Sequence, residues 1–148
     1  MSTFKGKTDL GAVMMAIISP TRIILVKDGR PNALWKLPGG TIEEKDAGII
    51  AAAIREADEE TGIKLLPEEV MLCANQRRAK DGKYYPYLCL AQVSEEKLES
   101  RLKVADEDGK PIWTAIFDRT EVPAMLDLLN RHRGFINALE EVSASIPK

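Results

Sequence analysis

The chain has 148 residues, of which 45% are hydrophobic and 30% are charged, with a formal net charge of -2 at pH 7. This composition excludes a disordered or fibrous chain and fits a single globular domain spanning residues 1–148. The near-neutral charge gives no general attraction to DNA or an anionic membrane, so neither is expected as a partner. The apolar run at residues 11–19 is too short to span a bilayer and lacks a signal-peptide cleavage pattern. We therefore expect a cytoplasmic protein.

Two strand-like runs open the chain. Residues 11–19 and 22–28 are apolar and rich in β-branched residues, and Pro20 and Thr21 separate them, which predicts a β-hairpin. After a turn-rich segment, residues 34–38 form a short strand-like piece that ends at two consecutive glycines.

The next element is a helix over residues 46–61. Ile50, Ala53, Ile54 and Ala57 recur at spacings of three and four, which is the helical period. Gly62 follows the last turn and predicts that the helix ends there.

The second half of the chain begins with another predicted hairpin. Residues 69–75 and 84–93 are apolar and flank an Asp-Gly turn. Pro86 cannot donate a ladder hydrogen bond, which predicts an edge strand or a bulge. Residues 112–118 predict a further strand, and residues 120–142 predict one helix interrupted near Gly134 or two short helices.

Both cysteines lie in apolar runs without metal-binding or redox spacing. Cys73 and Cys89 are therefore expected to be buried reduced thiols.

The predicted helix places three glutamates together. At 100° per residue, Glu56, Glu59 and Glu60 fall within an arc of about 100°, opposite the apolar face. Like charges late in a helix reduce its stability, so stability alone does not favour this arrangement. A divalent cation with oxygen ligands, above all Mg²⁺, would suit these carboxylates, whereas the alternative is a solvated acidic face.

Residues 40–63 resemble the signature of the Nudix hydrolases. In that motif a glycine, five residues, a glutamate and seven residues precede Arg-Glu-U-x-Glu-Glu-x-Gly-U, where U is apolar. The second half matches at every specified position, namely Arg55, Glu56, Ala57, Glu59, Glu60, Gly62 and Ile63. The first half contains one extra residue, so that Asp46 and Ala47 compete for the first acidic position. The resemblance implies the α/β class, with an α/β/α sandwich built on a mixed β-sheet.

The resemblance also implies an activity and its residues. Nudix enzymes cleave a nucleoside diphosphate linked to another moiety, using Mg²⁺ or Mn²⁺ and a water that attacks phosphorus. Matching positions assign Glu59 and Glu60 as principal metal ligands, Glu56 as a further ligand or general base, Arg55 as the residue that orients a glutamate, and Gly39 or Gly40 as a carbonyl ligand.

Further site residues are expected outside this motif. The family often supplies another acidic ligand, for which we choose Glu107 ahead of Asp106 and Asp108, with a solvated loop as the alternative. For substrate binding we choose Arg77, Arg78 and Tyr85, while solvated turn charges and edge-strand packing remain open. The other candidates were Lys80, Lys83, Tyr84 and Tyr87 for substrate, with Trp35 expected in the core and His132 exposed on a helix.

The expected partner is a nucleotide-derived small molecule, and a homodimer is left open. Two competing functions share this resemblance. One is removal of pyrophosphate from RNA 5′ ends, against which the absence of a basic stripe counts weakly. The other is a nucleotide-sensing domain without catalysis, which would be expected to lack one or more of the motif's carboxylates.

Overall fold

The computed structural model of the protein describes residues 11–28, 35–78, 80, 82, 84–101, 104–105, 111–118 and 120. Within these residues the chain forms a seven-stranded sheet, a small two-stranded sheet and two α-helices. The strands are β1 Ala12–Ile18, β2 Arg22–Asp28, β3 Gly39–Thr41, β4 Val70–Ala74, β5 Arg77–Arg78, β6 Tyr84–Tyr85, β7 Tyr87–Gln92, β8 Val104–Ala105 and β9 Pro111–Asp118. The helices are α1 Ile49–Thr61 and α2 Glu95–Glu99, and a 3₁₀ turn spans Pro67–Glu69.

The large sheet is mixed, which confirms the predicted α/β class. Its strands follow the order β4-β7-β1-β2-β9-β8, with β3 paired to β1. Strands β1 and β2 form the predicted hairpin, in which Ile18 lies opposite Ile23. Strand β7 runs parallel to β1, whereas the other pairs are antiparallel.

Strand β1 is the centre of the sheet because three strands pair with it. Along one edge it pairs with β7. The other edge is divided, since β3 pairs with the first half of β1 and β2 pairs with its end. In this arrangement Gly40 lies opposite Val13 and Gly39 opposite Met14, so that the sheet fixes the position of both glycines.

The second hairpin forms between β4 and β7, as predicted, but its outer part is different. Pro86 separates β6 from β7, and β6 pairs with β5 in a sheet of its own. Pro86, where an edge strand or a bulge is predicted, lies between two strands, and β7, which follows it, lies inside the sheet between β4 and β1. The irregularity lies on the opposite strand, where the register shifts between Leu72 and Ala74.

Helix α1 begins later than predicted and ends where predicted. It starts at Ile49 because residues 43–46 form a turn, in which the Asp46 N–H donates to the Glu43 carbonyl at 3.0 Å. Gly62 adopts a left-handed conformation with φ of 76°, and its N–H donates to the Asp58 carbonyl at 2.9 Å. This geometry is the usual glycine ending of a helix.

The two faces of the sheet carry separate apolar clusters, as the alternation of side chains along a strand requires. Val13 and Met15 of β1 join the apolar residues of α1 in one cluster, together with Leu98 of α2. Met14 and Ala16 of β1 point into the other. No element was predicted for α2, which begins after Ser94, whose hydroxyl accepts a hydrogen bond from the Lys97 N–H at 3.0 Å.

The cysteine and tryptophan predictions are confirmed in part. Cys89 is buried, and burial raises the pKa of its thiol to about 12. Cys73 is only half-buried, because it lies in the edge strand β4. Trp35 is half-buried against the second cluster and meets Phe117 edge to face at 5.4 Å between ring centroids.

Neither α1 nor α2, the helices in the described part of the chain, is long and apolar enough to cross a membrane. The helices predicted for residues 120–142 lie outside the described residues, apart from Thr120.

Candidate active site

Helix α1 packs its alanines against the sheet and carries carboxylates beside that packed face. Ala52, Ala53 and Ala57 are fully buried against the sheet. Their small side chains let the helix lie close to β1 and β3, both of which it contacts. Glu56 is 8% exposed although it is acidic, whereas the side chain of Glu59 is 43% exposed. The glutamates are therefore placed at the border between the packed face and solvent.

The paired glycines of β3 lie directly against these glutamates. The Gly39 N–H donates a hydrogen bond to Glu60 Oε1 at 2.8 Å. A Cβ atom at Gly40 would lie 2.8 Å from the carboxylate of Glu56, and one at Gly39 would lie 2.3 Å from the Val13 carbonyl oxygen. Gly39 has no space for a side chain because the backbone of β1 is too close, whereas a side chain at Gly40 would displace the carboxylate of Glu56.

Arg55 ties the helix to the loop that precedes it. Its Nε donates to Asp46 Oδ1 and its Nη2 donates to Asp46 Oδ2, both at 2.9 Å. Nη2 also donates to the Thr41 carbonyl oxygen at 3.0 Å. Two parallel hydrogen bonds between a guanidinium and a carboxylate fix both groups in orientation.

The remaining nitrogen of Arg55 faces three glutamates. Nη1 lies 3.0 Å from Glu56 Oε1, 3.3 Å from both carboxylate oxygens of Glu59 and 3.2 Å from Glu43 Oε2. Glu43 is a site residue that was not predicted, because the sequence marks it only as one acidic residue in the loop before the helix. One cation thus offsets part of the repulsion among three carboxylates.

The pKa values reflect burial and this crowding. The pKa of Glu60 is raised to about 7, chiefly by burial and also by the charges of Glu56 and Glu59, against the opposing effect of the Gly39 N–H and Lys36. Burial also raises the pKa of Glu56, which the Arg55 guanidinium opposes. By contrast, the hydrogen bonds from Arg55 hold the pKa of Asp46 below its usual range.

The donor set of this site fits a divalent metal ion in its chemistry. Glu56, Glu59 and Glu60 offer oxygen atoms only, which Mg²⁺ and Mn²⁺ prefer, and the raised pKa values of Glu56 and Glu60 show that further positive charge would stabilise them. Among the described residues no three such side chains converge on one point. The reason is visible in their contacts, because Arg55 holds Glu56 and Glu59 while Gly39 holds Glu60.

The small sheet of β5 and β6 carries the predicted substrate-binding residues. Arg77 lies opposite Tyr85, and Arg78 lies opposite Tyr84. Arg78 donates to the Gly82 carbonyl at 2.9 Å and its guanidinium lies 5.6 Å from the Tyr84 ring centroid. The Tyr84 hydroxyl accepts a hydrogen bond from the N–H of Ala12 at 3.1 Å, which joins this sheet to the start of β1.

Five further predicted positions lie outside the described residues. They are Glu107, the chosen acidic ligand, its alternatives Asp106 and Asp108, and also Lys83 and His132.

A cleft lies beside the loop that Arg55 holds. Its volume is about 560 Å³, which is within the range of small-molecule sites. Its walls are Tyr87 at the start of β7, Ile49 at the start of α1 and the loop between β3 and α1. The loop residues that line it are Ile42, Glu43, Glu44, Asp46, Ala47 and Gly48.

Comparison with known proteins decides the family. The family model described as NUDIX domain matches residues 8–139. The chain belongs to the Nudix family. The Nudix resemblance of residues 40–63 is therefore confirmed, and the chain is a hydrolase of pyrophosphate bonds.

Solved structures agree with this fold. The chain is similar to a NUDIX hydrolase from Nitrosomonas europaea, with a TM-score of 0.60 and 22% identity over 90% of this chain and 87% of that one. An Ap4A hydrolase from C. elegans gives a TM-score of 0.61 at 16% identity, covering 90% and 96%. A MutT/nudix family protein from Enterococcus faecalis gives a TM-score of 0.56 at 20% identity. The match covers 80% of this chain and 46% of that protein's chain. A search of curated proteins finds no match to the sequence.

Proposed function

We propose that this Nudix hydrolase is a metal-dependent pyrophosphohydrolase, with Mg²⁺ as its ion and Mn²⁺ as the alternative. Its substrate would be a nucleoside diphosphate linked to another moiety, which it would cleave by attack of water on phosphorus. The C. elegans relative is named an Ap4A hydrolase, and another similar structure, with 16% identity and a TM-score of 0.53, is named MutT. These names support a nucleotide-linked substrate.

One observation carries the proposal. Glu56 and Glu60 lie against the paired glycines of β3, with Gly40 so close to the Glu56 carboxylate that a Cβ atom would lie 2.8 Å from it. Arg55 links Glu59 to Glu56, because its Nη1 donates hydrogen bonds to both carboxylates. Three carboxylates thus lie beside a glycine backbone, and oxygen atoms are the ligands that Mg²⁺ takes.

The metal would polarise the phosphoryl oxygens and lower the pKa of a bound water. Glu59 and Glu60 would hold it as the principal ligands, together with a carbonyl of Gly39 or Gly40. Glu56 would hold a further ion or accept the proton of the attacking water, since burial already raises the pKa of its carboxyl. Arg55 would keep Glu56 and Glu59 in place without contacting substrate.

The substrate side of the proposal rests on the small sheet. Arg77, Arg78 and Tyr85 stay our candidates for phosphate and base contacts. Arg78 supports this choice because it is exposed and stacks on Tyr84, which is anchored to β1 next to β3. Glu107 stays the proposed additional acidic ligand.

The experiment is a substrate panel with matched variants. Phosphate release would be measured with Mg²⁺ and with Mn²⁺ on nucleoside triphosphates, dinucleoside polyphosphates, nucleotide sugars and 5′-capped or triphosphorylated RNA. Glu59→Gln and Glu60→Gln should each lower kcat by at least about 100-fold, because each removes a group that holds transition-state charge in place. Glu96→Gln is the control, since Glu96 is an exposed carboxylate on α2.

Each result would separate the competing functions. Activity on RNA ends alone would identify an RNA 5′-end pyrophosphohydrolase. A wild type that binds one nucleotide tightly but hydrolyses nothing would replace the enzyme with a nucleotide sensor. Glutamine variants that keep the wild-type rate would contradict the metal-ligand roles.

A further inference from the structure

The extra residue in the first half of the motif changes how the loop meets the helix. Five residues separate Gly40 from Asp46, and eight separate Asp46 from Arg55, where the family motif has seven. The acidic residue is also an aspartate, whose side chain is shorter than glutamate by one methylene. Ala47 is the competing position when the residues are counted back from Arg55.

The structure distinguishes the two positions by their contacts. The side chain of Asp46 is only 5% exposed, and both of its oxygens accept hydrogen bonds from Arg55. Ala47 is exposed and has no polar group. The acidic partner of Arg55 in this loop is therefore Asp46.

Asp46 makes a second contact that depends on its short side chain. Oδ2 accepts the Glu43 N–H at 2.8 Å, while the Asp46 N–H donates to the Glu43 carbonyl at 3.0 Å. These two bonds close the turn over residues 43–46. A carboxylate displaced by one methylene could not keep the bond to Glu43 and both bonds to Arg55 without a movement of the backbone.

We infer that Asp46 is a positioning residue that acts through Arg55 on Glu56 and Glu59, and that its short side chain and the extra loop residue compensate for each other. The extra residue lies between Asp46 and Arg55, and it lengthens the chain that runs from the turn at residues 43–46 into α1 while Asp46 stays bonded to Arg55. Arg55 then directs its remaining nitrogen to Glu56 and Glu59. The effect on catalysis rests on the proposed function, whereas the compensation between side chain and loop does not.

The compensation is tested by unfolding, without substrate or metal. We would measure the urea midpoint of the wild type, Asp46→Glu, a deletion of Ala47, and both changes together. Each single change should lower the urea midpoint by about 1 M. The combined variant restores the family spacing and the longer acid, so it should recover at least about half of the sum of the two losses. If the two losses simply add, the compensation is refuted.

The positioning role is tested with Asp46→Asn, which keeps the shape but loses the charge. Its kcat should fall by about 100-fold with KM within about 3-fold of the wild type, because a displacement of about 1 Å in the reacting groups can have that effect. Its affinity for Mn²⁺ alone, measured by titration calorimetry, should also fall. Lys97→Met is the matched control, since it removes an ion pair between Lys97 and Glu69.

Both proposals can fail separately. Wild-type kcat and Mn²⁺ affinity in Asp46→Asn would overturn the positioning role. A gain of activity in Ala47→Glu would show that the acidic role belongs to Ala47 and would also overturn it. If the wild type hydrolyses no substrate, the proposed function fails, while Mn²⁺ affinity and the unfolding measurements still decide this inference.

Discussion

Replacing Glu60 with glutamine should stabilise the metal-free protein at alkaline pH although it removes a proposed metal ligand. The pKa of Glu60 is raised from its usual 4.5 to about 7, chiefly by burial. A carboxyl whose pKa is higher in the folded state favours folding while it is protonated. This stabilisation is complete below pH 4.5 and is lost as the pH rises to about 7.

The size of the effect follows from the change in pKa. A rise from 4.5 to about 7 corresponds to at most about 3 kcal/mol of unfolding free energy, at about 1.36 kcal/mol per pH unit. Glutamine carries no charge at any pH, so Glu60→Gln avoids this loss. Relative to the wild type, the variant should therefore gain roughly 2 to 3 kcal/mol between pH 5 and pH 8.

The assay is urea unfolding of both proteins with a chelator at pH 5 and at pH 8. The difference in unfolding free energy between variant and wild type is compared at the two pH values. A packing cost of the amide that does not depend on pH cancels in this comparison. Glu96→Gln on α2 is again the control and should show no such change. If Glu60→Gln differs from the wild type by the same amount at both pH values, the reasoning from burial is refuted. Active sites often reduce stability in this way.

Three other outcomes are expected. Gly40→Ala should lower kcat by roughly 10- to 100-fold in steady-state assays, because the new Cβ would lie 2.8 Å from the Glu56 carboxylate and displace that carboxylate. Wild-type kinetics in this variant would contradict the prediction. Gly62→Ala should lower the unfolding free energy by about 1 kcal/mol at unchanged kcat, since φ at this position is 76°, and an unchanged urea midpoint would argue against it. Mg²⁺ at about 100 times its Kd for the wild type should stabilise the wild type by about 2.7 kcal/mol in thermal unfolding. The same concentration should stabilise Glu60→Gln by less, and equal stabilisation of the two proteins would exclude Glu60 as a ligand.

Much of the fold could be read from local patterns. The β1–β2 hairpin, the end of α1 at Gly62 and strand β9 follow from alternation, helical periodicity and turn residues, which depend on neighbours in sequence. Periodicity predicts that α1 begins at residue 46, whereas it begins at Ile49, because the turn over residues 43–46 depends on a hydrogen bond from the Glu43 N–H to the Asp46 side chain that periodicity does not show.

The differences in the sheet have a similar cause. Pro86 indicates an edge strand or a bulge, whereas in the structure it separates β6 from β7, and β7 lies inside the sheet. Strand order depends on which surfaces meet in space, and a single residue's missing donor does not determine it. For the same reason Cys73 is half-buried although its sequence neighbours are apolar.

The positions of Glu56, Glu59 and Glu60 on one side of a helix behind two glycines follow from the sequence, because helical geometry fixes the direction of each side chain. The choice of Asp46 over Ala47 as the partner of Arg55 is visible only in the folded chain, as is the contact of the last Arg55 nitrogen with Glu43 and two glutamates of the helix. These contacts join a folded loop to a helix, and their distances depend on the path of the chain between them.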